Sequence, residues 1–181
     1  RDSVLSRGLG DVYKRQTGMW VHSMITLSSV LVSVLICFVI GVPLGVIASY
    51  NKWYRDIQNV VLDAMQTLPY FCYLIPVLMF FGGNIVSAVI ATVIYSVPPI
   101  IRLTALGLSQ VSGSYSEVSK SFGGTGIQTL NKVKFPLAVP SLVMGFNQTV
   151  IMAFAMQIVT PLIGGKGLGL QVFNALQRSD T

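Results

Sequence analysis

The chain has 181 residues, of which 52% are hydrophobic and only 10% are charged, and its formal net charge at pH 7 is +6. Soluble domains carry about 25% charged residues. Three stretches contain no Asp, Glu, Lys or Arg at all: residues 16–51, 64–101 and 135–165. Because a helix needs roughly 20 apolar residues to cross a bilayer, the water-soluble classes are excluded and an integral membrane protein is predicted.

The first sixteen residues, RDSVLSRGLGDVYKRQ, differ in character from the rest of the chain. They have no apolar run of the length and flanks that a signal peptide requires. The string GLGDVYKRQ resembles translated sequencing-adapter sequence. We expect residues 1–16 to be a foreign segment and residues 17–181 to form one transmembrane domain.

The remainder of the chain contains four apolar segments, and each is predicted to be a transmembrane helix: residues 24–49, 57–81, 85–102 and 138–162. Pro69 lies within the second segment, and Pro98 with Pro99 must break regular hydrogen bonding near the end of the third. The fourth is followed by the turn GGKGLG and a short amphipathic tail. The expected fold class is therefore all-α, a polytopic bundle with about four spans.

The basic residues predict the orientation of these spans. One side receives six of them and the other side two: Lys52, Arg55, Arg102, Lys120, Lys132 and Lys134 against Lys166 and Arg178. Cytoplasmic loops are enriched in Lys and Arg, so the first side is predicted to be cytoplasmic.

Between the third and fourth spans lies a polar segment, EVSKSFGGTGIQTLNKVKFP (residues 117–136). Ser114 with Glu117 forms an S-x-x-E capping box, and Thr125 with Gln128 forms a T-x-x-Q box, so each pair predicts a helix start. Gly123 and the glycine after it suit a helix end that needs a left-handed residue. Two short helices joined by a glycine turn are predicted over residues 114–131.

Apolar residues recur at helical spacing on both of these helices. Val118 and Phe122 are four residues apart on the first, and Ile127 and Leu130 are three apart on the second. Such a stripe can face a partner protein or the lipid surface. The alternative is an ordinary amphipathic loop against the bilayer, in which Glu117 is only a capping acid.

The spacing of the polar segment resembles a known loop. Glu117-Val118-Ser119, three residues, Gly123, nine residues and then Val133-Lys134-Phe135-Pro136 is similar to the EAA loop of bacterial ABC-importer permeases, E-A-A-x3-G-x9-I-x-L-P. The chain departs from that pattern at four positions, all with small or apolar replacements: Val118, Ser119, Val133 and Phe135.

The resemblance covers roughly residues 20–181. The stretches LDAMQTLPYFCYLIPVLMFFG, VPPIIRLTALG, NQTVIMAFAM and IGGKGLG resemble the glycine betaine/proline betaine (osmoprotectant) branch of these permeases. The resemblance implies a type I ABC-importer permease in the bacterial cytoplasmic (inner) membrane. Its implied partners are a second permease copy, a cytoplasmic ABC ATPase, an extracytoplasmic solute-binding protein and lipid. It also implies a further span after the end of this chain.

By the same resemblance, one set of residues couples the permease to the ATPase: Glu117, Val118, Ser119, Phe122, Gly123 and Pro136. The chain has no G-x-x-x-x-G-K-[ST] sequence with which to bind a nucleotide phosphate. We therefore expect a non-catalytic subunit that binds no cofactor, with ATP on the partner. The single histidine, His22, has no partner at metal-site spacing, and no metal site is expected.

Uncharged polar residues at membrane depth are candidates for the translocation path, together with the proline and tyrosine beside them: Gln66, Pro69, Tyr70, Asn147 and Gln148. Polar groups in lipid are costly and face the bundle or water, so helix–helix hydrogen bonding is the alternative, which also applies to Thr149 and Gln157. Asp63 is interpreted as a helix N-terminal acid favoured by the helix dipole.

The predicted function is the permease subunit of an ATP-driven importer for glycine betaine, proline betaine or a related compatible solute. A permease for another small solute, such as methionine or an amino acid, is the first alternative. A channel that needs no motor is the second, and the Glu117–Gly123–Pro136 spacing argues against it.

Overall fold

The computed structural model describes residues 2–111 and 113–179, and it gives side chains from Trp20 to Arg178 apart from residues 112, 116 and 120. These residues form helices and turns without a strand. The helices are α1 (Asp2–Tyr50), α2 (Lys52–Thr67), α3 (Phe71–Phe81), α4 (Ile85–Ser96), α5 (Pro98–Gln110), α6 (Gly113–Ser121), α7 (Gly126–Thr129), α8 (Phe135–Val159) and α9 (Leu168–Ser179). A π-helical turn (Leu130–Lys134) joins α7 to α8, and a 3₁₀ turn (Thr160–Ile163) follows α8.

Three stretches of helix are long and apolar enough to cross a bilayer: Trp20–Tyr50, Ile85–Gln110 and Gly126–Ile163. They correspond to the first, third and fourth predicted spans. Helices α2 and α3 pass the same test only as a pair, and they are bent by 92° relative to each other.

The directions of the helices show that this bent pair also crosses. The Sγ atom of Cys37 on α1 lies 3.4 Å from the Oγ atom of Ser96 on α4. Further along α1, a Cβ atom at Gly45 would lie 2.6 Å from the Cβ of Thr104 on α5. Helix α1 therefore runs parallel to α4 and α5. Because two parallel spans both start on the same side of the membrane, the chain must cross back between the end of α1 and the start of α4. Helices α2 and α3 make this second crossing, and the prediction of about four spans is confirmed.

Helix α8 runs antiparallel to α4 and α5. Its C-terminal half meets α4, where Gln157 Nε2 donates to Thr92 Oγ1 over 3.3 Å. Its N-terminal half meets α5, where a Cβ at Gly107 would lie 2.6 Å from the Cβ of Ser141. The fourth crossing thus returns the chain to the side on which α4 began.

Contacts between distant parts of the chain identify the two ends of the bundle. At one end the Nζ of Lys134 lies 5.1 Å from the centre of the Tyr50 ring, so the polar segment and the start of α2 are neighbours. At the other end Gly83 contacts Gly164. The six basic residues used for the orientation lie toward the first end by their chain positions, although the side chain of Lys120 is outside the described set.

The second span, predicted over residues 57–81, consists of two helices, α2 and α3, with a break between them. Pro69 has no N–H, so the Met65 carbonyl loses the hydrogen bond that residue 69 would give it in an α-helix. The Tyr73 hydroxyl donates to that carbonyl instead. The chain bends by 92° between Thr67 and Phe71, and one tyrosine satisfies a carbonyl that would otherwise be orphaned within the membrane.

The third span is longer than predicted, because it ends at Gln110 rather than at Arg102. Val97 keeps a helical conformation, and its N–H donates to the Val93 carbonyl over 3.0 Å. Pro98 and Pro99 then occupy the first positions of α5, where an N–H has no partner within the helix anyway. Consequently Arg102 lies inside a span and not at its end.

Small side chains let the helices of the bundle approach closely. A Cβ at Gly45 on α1 would also lie 2.7 Å from the Ile101 carbonyl oxygen. Small hydroxyl side chains between the helices are buried and bonded to carbonyls one turn earlier: Ser33, Thr92 and Ser96. Such small and hydroxyl residues are typical of helix interfaces within membranes.

Replacing Gly45 by Leu is expected to destabilise the bundle by about 1–3 kcal/mol, because the new side chain overlaps Thr104 and the α5 backbone. For a protein of this size, each kcal/mol lowers the melting temperature by about 2–4 °C. Thermal unfolding of the detergent-solubilised permease measures the change. Gly113→Leu is the matched control, since none of the atoms that the structure describes lies within 4 Å of a Cβ there. Equal melting of the two variants would contradict the close approach.

Candidate functional site

The turn between α6 and α7 depends on two glycines for different reasons. Gly123 has a φ of +77°, a left-handed conformation that costs other residues free energy. The N–H of Gly124 donates to the Ser119 carbonyl over 2.9 Å, which closes a Schellman motif at the end of α6. A Cβ at Gly124 would lie 2.7 Å from that same oxygen. The predicted glycine turn is confirmed.

The helix starts on either side of this turn agree in part with those predicted from the two capping boxes. Thr125 and Gln128 form the predicted capping box: the Gln128 N–H donates to Thr125 Oγ1 over 3.4 Å, and the Thr125 N–H donates to Gln128 Oε1 over 2.9 Å. The first helix begins at Gly113, one residue before the predicted cap. Ser114 therefore lies inside α6.

The second short helix is not a separate element as predicted. Helix α7 has only four residues, and it continues through the π-helical turn into α8. Pro136 cannot donate to the Lys132 carbonyl, and here the Phe135 N–H bonds to the Leu130 carbonyl, five residues back. Residues Gly126–Ile163 are thus one helical stretch of 38 residues. Pro136 is the second residue of α8, consistent with its predicted place at the start of a span.

The α6–α7 turn presents apolar side chains to its surroundings. Val118 is 55% exposed, Phe122 is 88% exposed and Ile127 is 74% exposed. A cleft of about 500 Å³ lies beside them and is lined by residues of α6, the turn, α7 and the π-helical turn: Tyr115, Val118, Ser119, Phe122, Gly124, Gln128, Lys132 and Val133. Exposed aromatic and aliphatic side chains beside a cleft form a surface suited to a protein partner.

Hydrogen bonds fix the shape of this surface. The hydroxyls of Ser119 and Thr129 lie 2.8 Å apart and join α6 to α7. Of the residues predicted to contact an ATPase, Glu117, Val118, Phe122 and Gly123 are exposed, whereas Ser119 is half-buried. The structure therefore places the Ser119 hydroxyl between the two helices, against that of Thr129.

The break between α2 and α3 brings together three of the residues predicted for the translocation path. Gln66, Pro69 and Tyr70 are exposed there, and the Tyr70 and Phe71 rings lie 4.4 Å apart between centroids. At the end of α2 the Ala64 carbonyl accepts from the Leu68 N–H over 3.2 Å, and the Met65 carbonyl accepts from the Tyr73 hydroxyl. Backbone carbonyls and aromatic faces thus meet at one point in the second crossing.

Asn147 and Gln148 lie on α8 and are also exposed. The other polar candidates of the fourth span are buried: Thr149 is 1% exposed and Gln157 is 5% exposed. Because Gln157 donates to Thr92 on α4, its side chain serves helix–helix contact, the alternative that the sequence leaves open.

Sequence reasoning misses one pair of residues. The interpretation of Asp63 as a helix N-terminal acid is wrong, because α2 begins at Lys52 and Asp63 lies near its C-terminal end. The Asp63 carboxylate instead forms an ion pair with the Arg102 guanidinium on α5. The sequence does contain a signal: these two residues are the charges that border the charge-free run 64–101.

Comparison with known proteins agrees with this geometry. The family described as "Binding-protein-dependent transport system inner membrane component" matches residues 41–181. The glycine betaine/proline betaine transport system permease protein ProW of Escherichia coli (strain K12) is 44% identical over 90% of this chain and 46% of its own length. The glycine betaine transport system permease protein OpuAB of Bacillus subtilis (strain 168) is 41% identical over 91% of this chain and 58% of its own. The chain spans about half the length of these relatives.

A solved structure has the same arrangement of helices. The MetNI methionine ABC transporter, in an inward-facing conformation, aligns with a TM-score of 0.73 and 25% identity over 84% of this chain and 77% of the solved chain. The predicted fold class, a helical bundle of the ABC-importer permease kind, is confirmed. On the match over residues 41–181, the chain belongs to the family of binding-protein-dependent transport system inner membrane components.

Proposed function

We propose that this chain is the permease subunit of an ATP-driven importer that carries glycine betaine, proline betaine or a related compatible solute across the bacterial cytoplasmic membrane. The 44% identity with ProW over 90% of the chain is the observation that carries this proposal. The OpuAB likeness, at 41% identity, supports the same solute class.

The permease needs a separate motor, and the α6–α7 turn is the surface on which it docks. The chain contains no nucleotide-binding sequence of the P-loop kind, so ATP is hydrolysed by a partner ATPase. The exposed Val118, Phe122 and Ile127 supply the apolar anchors of the interface, with the exposed Glu117 beside them. The left-handed Gly123 holds α6 at a fixed angle to α7.

A second permease copy completes the membrane part. Polar side chains at membrane depth are costly when they face lipid, yet Gln66, Asn147 and Gln148 are exposed on the single chain. Two copies that face each other would enclose these groups in an aqueous path. An extracytoplasmic binding protein delivers the solute to the opposite end, where Gly83 and Gly164 meet.

The broken second crossing suits the chemistry of a betaine, which combines a quaternary ammonium with a carboxylate. Carbonyl oxygens at a helix C-terminus carry partial negative charge. Aromatic faces such as those of Tyr70 and Phe71 attract quaternary ammonium groups. Unwound helix ends of this kind form solute sites in other transporters. Gln66, Pro69 and Tyr70 are therefore assigned to the path, together with Asn147 and Gln148 on α8.

Methionine is the alternative solute, and its support is weaker. The MetNI likeness has 25% identity, against 44% for the betaine permease. A channel that needs no motor does not account for a stiff, exposed apolar turn at one end of the bundle.

Uptake of labelled solute distinguishes these functions. Cells that lack their own betaine importers would carry the permease with its ATPase and binding protein, and uptake of glycine betaine is expected to depend on all three. Labelled methionine is the control solute. Methionine uptake without betaine uptake would overturn the solute, and betaine uptake without the ATPase would overturn the importer.

A further inference from the structure

The Asp63–Arg102 ion pair lies within the membrane-crossing part of the chain. Eight residues of α5 follow Arg102, the last of them Gln110, which is about 12 Å of helix. The Arg102 side chain is 36% exposed and that of Asp63 is 63% exposed. Charged groups inside transmembrane helices are costly, rare and usually functional, so this pair calls for a role.

The pair joins α2 to α5 beside an apolar contact between the same two helices. Leu62 is the buried residue of α2, and it shares a hydrophobic cluster with Ile100 and Ile101 on α5. Asp63 and Arg102 are the next residues along the two helices. Met65, one turn after Leu62 along α2, packs against the same cluster, so an apolar contact and the ion pair lie side by side between α2 and α5.

Beyond this contact the two helices stand apart. A cavity of about 360 Å³ separates them and has polar as well as apolar walls: Arg55, Asn59, Asp63, Arg102, Ala105, Leu106 and Ser109. Within the described part of the chain, Arg102 Nε is buried and has no hydrogen-bond partner. The side chains of α2 and α5 thus leave a gap between the two helices, and the ion pair is part of its lining.

Helix α5 leads within three residues into α6, the helix on which the proposed function places the ATPase. Helix α2 ends four residues after Asp63, at the break that the proposed function places on the solute path. We propose that the Asp63–Arg102 ion pair is the positioning contact that transmits movement of α5 and α6 to the broken helix. This proposal rests on the proposed docking role of α6.

Asp63→Asn tests this role with a change of nearly equal size. In proteoliposomes that contain the permease, its ATPase and its binding protein, this variant is expected to keep the bound ATPase and most ATP hydrolysis. Betaine uptake per ATP hydrolysed is expected to fall by at least about fivefold, within the usual range of coupling between sites. Asp56→Asn is the matched control on the same helix, since Asp56 is exposed. This control should leave the uptake per ATP hydrolysed unchanged.

Exchange of the charges separates transmission from simple stability. The double variant Asp63→Arg with Arg102→Asp restores the ion pair in reverse and is expected to recover the uptake-to-ATP ratio, whereas Arg102→Gln alone is not. Normal uptake per ATP in Asp63→Asn, or equal loss in Asp56→Asn, would overturn the proposal. If wild-type permease fails to bind the ATPase, the proposed function fails instead, and the two failures are therefore distinguishable.

Discussion

Replacing Gly123 by Trp is expected to lower betaine uptake by about tenfold or more, while the permease still inserts into the membrane. A tenfold change corresponds to about 1.4 kcal/mol, and a left-handed conformation alone costs an ordinary residue about 1–2 kcal/mol. No atom of the described residues lies within 4 Å of a Cβ at this position. The indole would therefore not clash internally but would project from the surface beside Phe122, where the ATPase is proposed to dock.

Two companion variants separate backbone strain from blocked docking. Gly123→Ala introduces the strain with little bulk, and Gly126→Trp introduces bulk on the same segment at an open position without a left-handed backbone. Uptake, ATP hydrolysis and co-purification of the ATPase would be measured for all three. We expect Gly123→Trp to lose most uptake and Gly123→Ala less. Normal uptake by Gly123→Trp would show that this turn does not couple the permease to its motor.

The second large effect is expected at the bend between α2 and α3. Tyr73→Phe removes the hydroxyl that donates to the Met65 carbonyl, and an unsatisfied buried carbonyl costs about 1–3 kcal/mol. Pro69→Ala supplies an N–H that can bond to the same carbonyl if the helix straightens. The double variant Pro69→Ala with Tyr73→Phe should therefore be more stable than Tyr73→Phe alone. It should not regain uptake, because Gln66 and Tyr70 would leave their positions at the break.

Melting temperature and betaine uptake are the two measurements for this series. Tyr95→Phe is the control, because the Tyr95 ring lies 6.2 Å from that of Tyr73 and removal of its hydroxyl leaves the Met65 carbonyl satisfied. If the double variant regained both stability and uptake, the bend would be dispensable for transport. Unchanged melting of Tyr73→Phe would show that the carbonyl is satisfied in another way.

Features that depend on neighbouring residues could be predicted from the sequence. The charge-free runs located all four crossings, because burial in lipid acts on about 20 consecutive residues. The Thr125 capping box and the left-handed Gly123 were equally predictable, since each is fixed within a few residues of the chain. The same holds for the EAA-like spacing, which lies within one segment.

The effect of each proline could not be predicted in the same way. Pro76 lies inside α3 and Pro140 inside α8 without ending those helices, whereas the chain bends by 92° at Pro69. A proline inside a helix removes one backbone hydrogen bond. Whether the chain then bends depends on partners for the freed carbonyl, and at Met65 that partner is a side chain eight residues away.

The ion pair between Asp63 and Arg102 joins residues 39 positions apart. Only the parallel packing of α1 and α5, with α2 returning beside them, brings these residues together. Similarly, the sequence could not decide whether Gln157 lines a path or joins helices, because that depends on Thr92 of a different helix facing it.

The continuous helix from Gly126 to Ile163 has a mechanical consequence. Its 38 residues form a rod about 57 Å long at 1.5 Å per residue, longer than the hydrocarbon core that it crosses. A tilt of only about 5° at one end would displace the other by about 5 Å, from the rod length given by the same rise. That far end is where Gly164 touches Gly83. A probe attached at the exposed Lys166 would therefore report a tilt of this long helix.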